Sequence, residues 1–294
     1  MPNLKEVRNR IVSVGSTMQI TSAMKMVSAA KLKRAQDAVT QMRPYANKMK
    51  EVLENVSASS EDSENVYSRN NNGKNILIIA VSSNRGLAGA FNSNIIKRTN
   101  QLIKDEFSDC SITVLPVGKK VHDAFRRTKY VIGGTDTPQH GNDLFDKLSF
   151  NNAAPFIEKV MRAFVDLQFD KVVLVYNQFK NAAVQITTTE QLLPIEQSVE
   201  NANKSNTATD YIFEPDKKVI LDLLIPLSLK TQFYKALLDS VASEHGARMT
   251  AMHKATDNAA AMQKELKITY NKARQASITK EILEIVGGAE ALKN

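Results

Sequence analysis

The first 57 residues carry a regular repeat of apolar side chains. Stepping alternately by three and four residues from Leu4 to Val56 visits sixteen positions, of which thirteen are apolar. This spacing is the heptad repeat of a coiled coil, in which one stripe of a long helix packs against a second helix. The three polar positions are consecutive, and Ile20, Met24 and Val27 lie beside them. We therefore expect the apolar stripe to shift sideways there, as it does at a coiled-coil stutter.

A second long helix is predicted near the other end of the chain, over residues 228 to about 285, where the sequence has no proline. Pro226 is expected to break or kink the helix at its start, and Pro44 to kink the first helix. The stripe of the second helix consists mostly of small side chains and methionines, which permit a close contact between helices. Its positions are Met252, Ala255, Ala259, Met262, Leu266, Thr269, Ala273 and Ala276.

Between the two helices, short apolar runs alternate with helical patterns. The runs that are typical of strands cover residues 75–81, 111–117, 171–176 and 184–193. The helical patterns cover residues 89–107, 119–127 and 153–168. Strands that alternate with helices predict a doubly wound, mostly parallel α/β sheet. The polar segment 58–74 reads as a linker, and residues 201–209 read as a loop.

These patterns predict an α/β protein with three parts. The N-terminal helix (1–57) and the C-terminal helix (216–294) form a long antiparallel coiled coil, and residues 75–215 form a globular Rossmann-like α/β domain. Two helices that extend past their own domain have little core of their own. We therefore expect other protein chains to surround them.

Charge separates the ends of the chain from its middle. The net charge is +8, and residues 1–57 contain ten Lys and Arg against four Asp and Glu, while residues 245–294 contain eight against five. Basic ends predict acidic partners, such as an acidic protein surface, nucleic acid or lipid headgroups. The single cysteine, Cys110, allows no intrachain disulfide and fits a reducing compartment. We expect neither a signal peptide nor a membrane-spanning segment.

The segment SSNRGLAGAFNSN (82–94) raises the question of nucleotide binding, because it places a glycine turn between a strand and a helix. It lacks the third glycine of a dinucleotide fingerprint and the lysine of a phosphate loop. We interpret it as a tight β-to-α turn, with the glycine pair Gly86 and Gly89, that needs a positive φ. The four histidines lack metal-site spacing, and we predict no catalytic group, cofactor or metal site.

Four segments, in the same order along the chain, carry a resemblance to a known family. They are ITSAMKMVSAAKLKRAQ, SSNRGLAGAFNSNI, SEHGARMTAMHKATDNA and YNKARQASITKEILEIVGGAEA. Together they resemble the gamma subunit of F-type (F1Fo) ATP synthases of the bacterial type. The last segment is the most specific, and Asn84 and Ala88 depart from the family, whose members often have Asp and Cys there.

The resemblance implies a non-catalytic central rotor shaft that couples ion-driven rotation of the c ring to conformational change at the catalytic beta subunits. It implies one copy per complex, inside a ring of three alpha and three beta subunits and beside the epsilon subunit. The chain would lie at the cytoplasmic face of the bacterial inner membrane, attached only through the c ring. ATP synthesis and hydrolysis would belong to the alpha/beta ring, and nucleic acid would not be a partner.

The resemblance also assigns contact residues. Those that match the family's rotor–stator contacts are Met24, Arg248, Arg274, Gln275, Thr279 and Glu281. The basic cluster Lys31, Lys33 and Arg34 is expected to face the acidic lever of beta. The residues that fall where the family meets the c ring and epsilon are Tyr211, Glu214 and Asp216.

Two other functions stay open on the residues alone. A doubly wound domain with helical arms is compatible with a soluble nucleotide-binding enzyme. The basic ends are also compatible with a coiled-coil scaffold that binds RNA or lipid, although aromatic residues for base stacking are scarce there.

Overall fold

The computed structural model describes residues 4–58, 66–69, 73–130, 137–195 and 217–291. Its helices are α1 (Leu4–Ala58), α2 (Phe91–Gln101), α3 (Lys119–Phe125), α4 (Phe150–Val165) and α5 (Lys217–Ala291), and a π-helical turn (Leu102–Glu106) extends α2. The strands are β1 (Asn75–Val81), β2 (Ser111–Val117), β3 (Lys171–Phe179) and β4 (Gln185–Leu193). The chain divides into a terminal-helix unit, residues 1–29 with 248–294, and a sheet unit, residues 30–247.

The sheet has the strand order β2-β1-β3-β4. Strand β1 pairs in parallel with β2 and with β3, whereas β4 pairs antiparallel with β3. The mostly parallel sheet predicted from the sequence is therefore confirmed. The central strand β1 is apolar at nearly every position because helices cover both of its faces, as is usual for parallel sheets.

Two hydrophobic cores lie on opposite faces of the sheet. Alternate β1 residues Leu77, Ile79 and Val81 belong to the core that contains buried residues of α4 and of the first turns of α5. Residues Ile76 and Ile78 belong to the other core, together with α2 and α3. Because the side chains of a strand alternate between faces, one apolar run supplies both cores. Helices on both faces confirm the doubly wound arrangement.

The apolar stripe of α1 does not shift sideways, so that expectation was wrong. Thr21 and Ser28 are buried in line with the heptad spacing, while Ile20 and Val27 are 60% and 57% exposed. The buried face thus continues straight through the polar positions. It continues in the same spacing into the sheet unit, where Leu32, Ala35 and Val39 are buried.

Hydrogen bonds explain why polar residues can occupy this stripe. The Thr21 hydroxyl donates to the Met18 carbonyl (3.1 Å), and the Ser28 hydroxyl donates to the Met24 carbonyl (2.8 Å). The hydroxyl of Thr256 in α5 donates to Thr21 Oγ1 (2.9 Å). Since buried hydroxyls with partners avoid the cost of desolvation, small polar side chains here pack as well as apolar ones.

The terminal-helix unit pairs α1 with α5 in antiparallel orientation. Thr21 contacts Thr256, and four residues later along α1 the Lys25 Nζ lies 3.3 Å from Nδ1 of His253. The partner number falls as the α1 number rises, which confirms the predicted direction.

Along the α5 stripe in the same unit, Met252 and Ala259 are buried as predicted, but Met262 is 53% exposed. The side chain of Gln263 lies opposite Gly15 instead. A glycine leaves room for this longer polar side chain, which takes the place expected for Met262.

Neither proline interrupts its helix. Helix α1 continues through Pro44, and α5 begins at Lys217 and continues through Pro226. Of the two outcomes expected at Pro226, the break is therefore wrong, while a kink there and at Pro44 stays a prediction. Leu221, Ile225 and Leu229, spaced by four residues, are buried in the core and hold the turns on both sides of the proline against the sheet. Tertiary packing here outweighs the hydrogen bond that proline cannot donate.

Replacing Gly15 by alanine is expected to stabilise the terminal-helix unit by about 0.5–1 kcal/mol, because glycine is a poor helix former. The new Cβ would lie 2.9 Å from Nε2 of Gln263, the far end of a flexible side chain that can rotate away. Thermal unfolding followed by circular dichroism at 222 nm measures the change. Gly288→Ala, with no atom within 4 Å of the new Cβ, is the control. Destabilisation by Gly15→Ala alone would show that Gln263 is held in place.

Candidate partner interface

The last turns of α5 form a solvent-exposed segment with many apolar side chains. Every residue from 278 to 289 is exposed. In the terminal-helix unit, the register that sets Gly15 opposite Gln263 places Leu4 near residue 274, so the end of α5 extends beyond the described start of α1. The large apolar residues here, 45–71% exposed, are Ile278, Ile282, Leu283, Ile285 and Val286. Exposed apolar surface of this kind is typical of protein-binding sites, so we treat this segment as a candidate interface.

We name the last turns of α5, residues 274–291, the α5 end. Four of the predicted contact residues lie in it. Arg274, Gln275, Thr279 and Glu281 are all exposed. The Thr279 hydroxyl donates to the Gln275 carbonyl (2.9 Å), one turn earlier. Glu281 accepts a hydrogen bond from the Ser277 hydroxyl (3.3 Å). Polar side chains that form hydrogen bonds within α5 thus lie between the exposed apolar side chains.

The two other predicted contacts in the terminal-helix unit are less accessible. Met24 is half-buried, and Arg248 is only 7% exposed. Arg248 therefore offers far less surface to a partner than Arg274 does.

The basic cluster lies on the α1 part of the sheet unit. Lys31, Lys33 and Arg34 are exposed, while Leu32 and Ala35 between and beside them are buried. Lys33 Nζ lies 3.1 Å from Oδ1 of Asp37, one turn further along the helix. Because exposed ion pairs contribute only about 0–1 kcal/mol, Lys33 can exchange this partner for another acidic group.

The remaining predicted contacts, Tyr211, Glu214 and Asp216, lie outside the described residues.

The glycine turn after β1 has a positive φ at two positions. Gly89 has φ 57°, as predicted, but the other residue is Leu87 (φ 63°) and not Gly86. Leucine tolerates this conformation poorly, and its side chain is exposed. The tight turn is confirmed, although its geometry depends on one glycine of the pair.

Hydrogen bonds join this turn to the start of α3, the helix that follows β2. Here oxygen atoms of the β1–α2 turn accept hydrogen bonds from the first three N–H groups of α3. The pairs are Lys119 N to Asn84 Oδ1 (3.0 Å), Lys120 N to Ser83 O (3.2 Å) and Val121 N to Ser82 Oγ (3.0 Å). The β1–α2 turn therefore supplies hydrogen-bond acceptors to the N–H groups that follow the β2–α3 loop.

A buried polar cluster in the sheet unit was not predicted from the sequence. Arg43 Nη2 donates to Asp239 Oδ1 (2.9 Å) and to the Phe179 carbonyl (2.8 Å). The Asp239 side chain is fully buried, and this burial raises the pKa of its carboxyl above the ordinary value, although the Arg43 guanidinium acts in the opposite direction. The only signal in the sequence is one acidic residue in the otherwise uncharged run ALLDSVA.

A second buried hydrogen bond lies nearby. The Tyr176 hydroxyl donates to Glu190 Oε1 (2.7 Å), and Gln232 Nε2 lies 3.4 Å from the other carboxylate oxygen. Burial, and then the negative charge of Glu190, raise the pKa of Tyr176. The tyrosine therefore stays a hydrogen-bond donor throughout the physiological pH range.

Within the described ranges, no helix combines the length and the apolar character needed to cross a membrane. The same residues contain no group of three or more His, Cys, Asp or Glu side chains able to hold a metal ion.

Comparison with known proteins agrees with the sequence resemblance. The ATP synthase gamma chain of Christiangramia forsetii is 56% identical, over 99% of each chain. A chain of the Tetrahymena thermophila mitochondrial ATP synthase, from a structure of the central stalk and c ring, is 28% identical with a TM-score of 0.59, over 80% of this chain and 99% of that one. A chain of the Euglena gracilis mitochondrial ATP synthase has the same fold, with 21% identity and a TM-score of 0.69 over 98% of this chain and 94% of that one.

A family model described as ATP synthase matches residues 3–292, nearly the whole chain. Together with the full-length identity to a gamma chain, this match shows that the protein belongs to the ATP synthase gamma-chain family.

Proposed function

We propose that this chain is the central rotor shaft of an F-type ATP synthase. The observation that carries the proposal is the α5 end, an exposed segment of apolar and polar side chains in a chain of the gamma family. A segment of this kind needs a surrounding partner, and the proposed partner is the ring of three alpha and three beta subunits. Catalysis takes place in that ring, at the beta subunits, and this chain contributes no catalytic group.

The composition of the α5 end suits a contact that forms and breaks at every step of rotation. A shaft inside a ring of three must touch the three sites unequally, or the sites would not differ. Its contacts must also release, and exposed ion pairs of about 0–1 kcal/mol each allow this. Arg274, Gln275, Thr279 and Glu281 supply polar groups of this kind.

The other proposed contacts lie elsewhere on the chain. Met24 and Arg248 belong to the same rotor–stator set, and Lys31, Lys33 and Arg34 are proposed to face an acidic region of beta. Tyr211, Glu214 and Asp216 are proposed to meet the c ring and the epsilon subunit. One copy of the chain turns with the c ring, which attaches it to the cytoplasmic face of the bacterial inner membrane.

Replacing Gln275 by leucine or Arg274 by alanine is expected to lower ATP hydrolysis by the assembled complex about 3- to 10-fold, because a lost contact of about 1 kcal/mol has an effect of this order on a rate. Steady-state hydrolysis by the purified complex is the measurement. Lys267→Ala, an exposed residue before the α5 end, is the control and should change little. Both test side chains are exposed, so circular dichroism should show an intact fold. Wild-type turnover in both variants would contradict the assigned contacts.

Two further measurements separate this proposal from its alternatives. The isolated chain should not bind ATP tightly in the presence of Mg²⁺, and tight binding would favour a nucleotide-binding enzyme. The tagged chain should co-purify with alpha and beta subunits in a defined ratio. Co-purification with RNA or lipid, without those subunits, would favour the coiled-coil scaffold.

A further inference from the structure

The guanidinium of Arg43 joins three elements of the sheet unit. It donates from α1 to the carboxylate of Asp239 on α5, and also to the Phe179 carbonyl at the end of β3. Both hydrogen bonds are shorter than 3 Å, and one of them has charged groups on both sides. Charge-assisted hydrogen bonds from a planar guanidinium are strong and directional. Arg43 therefore fixes how α1 and α5 are oriented about the end of the sheet.

Burial makes Asp239 depend on this partner. Its side chain is fully buried, whereas that of Arg43 is 40% exposed. The second carboxylate oxygen, Oδ2, has no hydrogen-bond partner among the described residues. Replacing a buried ion pair by apolar residues is often neutral or stabilising. A contribution to the stability of the fold is therefore a weak explanation for this buried ion pair. A role in defining the orientation of the helices explains it better.

Apolar contact alone is a less directional constraint than a hydrogen bond. The stripe residues of α1 nearest to Arg43 along the chain are Val39, which is buried, and Met42 and Ala46, which are half-buried. Apolar contact is non-directional, and methionine adapts to different surroundings. The directional bonds of Arg43 add an angular constraint that apolar contacts lack.

Helix α5 has a second polar attachment two turns before Asp239. Gln232 approaches Glu190 on β4, which also accepts the hydrogen bond from Tyr176 on β3. Positions 232 and 239 are seven residues apart and therefore lie on one face of the helix. Gln232 thus bonds α5 directly to β4, while the Asp239 carboxylate is linked to the end of β3 through Arg43, which is also a polar link of α1 to that strand.

We propose that Arg43 is a positioning residue of the shaft, which with Asp239 transmits torque between the sheet and both long helices. Torque that enters through the sheet unit would turn α1 and α5 together, without slip. This inference rests on the proposed function, because torque has meaning only in a rotor.

The test uses the complete membrane-bound complex in sealed vesicles. ATP hydrolysis and ATP-driven uptake of the coupling ion, measured for both H⁺ and Na⁺, give the number of ions moved per ATP. The main variant is Arg43→Met with Asp239→Leu, which removes the directional bonds and leaves no unpaired buried charge. Arg43→Lys tests partial rescue, because lysine keeps the charge but lacks the planar fork. Arg98→Met is the control, since Arg98 also donates two hydrogen bonds in the sheet unit, to Thr189 and Glu106, and both acceptors lie outside the two long helices.

We expect the double variant to hydrolyse ATP within about twofold of wild type, while the ions moved per ATP fall at least threefold. Arg43→Lys should recover part of this ratio, and Arg98→Met should leave it unchanged. A wild-type ratio in the double variant would overturn the inference, and so would a parallel loss of hydrolysis and transport, which would show that the pair maintains the fold and does not position the helices. If the wild-type complex itself moved no ions, the proposed function would fail, and this inference with it.

Discussion

Replacing Gly118 by alanine is expected to destabilise the sheet unit by about 3–5 kcal/mol, the sum of backbone strain and overpacking. Gly118 joins β2 to α3 with φ 109°, a conformation that side chains rarely adopt. A Cβ at this position would also overlap the carbonyl oxygen of Ser82. That residue cannot withdraw easily, because its N–H donates to the Val117 carbonyl (2.7 Å) and its hydroxyl accepts from the Val121 N–H (3.0 Å).

Gly86→Ala in the neighbouring turn is the matched control for this prediction. The nearest atom to its new Cβ is Cε of Lys120 at 3.7 Å, so the methyl group fits. Amide hydrogen exchange of β1 and β2 reports the local free energy of opening in both variants. If the amides of β1 and β2 exchanged as slowly in Gly118→Ala as in wild type, the β1–α2 turn and the β2–α3 loop could separate without cost. This result would contradict the prediction.

Replacing Phe233 by alanine is expected to cost about 3–5 kcal/mol, the usual range for deleting a fully buried aromatic side chain. Phe233 lies on α5 in the core that this helix forms with α4 and the sheet, and it is completely buried. Its ring stacks on Phe156, with 5.7 Å between ring centroids and 10° between ring planes. The cavity would lie beneath helix α5, so this helix should loosen from the sheet first.

The control on the same helix is Leu223→Ala, a side chain that is 69% exposed. It should change the free energy of unfolding by no more than about 0.5 kcal/mol. Denaturant unfolding followed by circular dichroism compares the two variants. A small effect of Phe233→Ala would mean that the core collapses around the missing ring or that α5 contributes little to it.

Strand positions were the most predictable part of the fold. β1 and β2 begin and end where the sequence analysis placed them, because each is a short apolar run between polar or glycine-containing segments. The two long helices were equally visible, since a heptad repeat of this length has few alternative structures. The sequence analysis wrongly expected the apolar stripe to leave Thr21 and Ser28, because it classed both residues as polar. Their hydroxyl groups donate to carbonyl groups of their own helix and can therefore be buried.

The candidate interface was predictable only in part. Family motifs identified Arg274, Gln275, Thr279 and Glu281, and the structure shows that their side chains are exposed. The burial of Arg248 could not be foreseen, because it depends on packing and not on the motif. The pair of Arg43 and Asp239, nearly two hundred residues apart, follows from no periodicity, and only the folded chain brings it together.

The exposed α5 end also affects the solubility of the chain before it assembles with other subunits. Several of its large apolar side chains face solvent, and Ile278, Ile282 and Val286 do so at consecutive turns of one helix. Surfaces of this kind promote self-association when nothing covers them. The chain expressed alone should therefore aggregate at concentrations at which the chain expressed together with the ring subunits forms a soluble complex. The solubility of this protein would then depend on when its partners assemble around it.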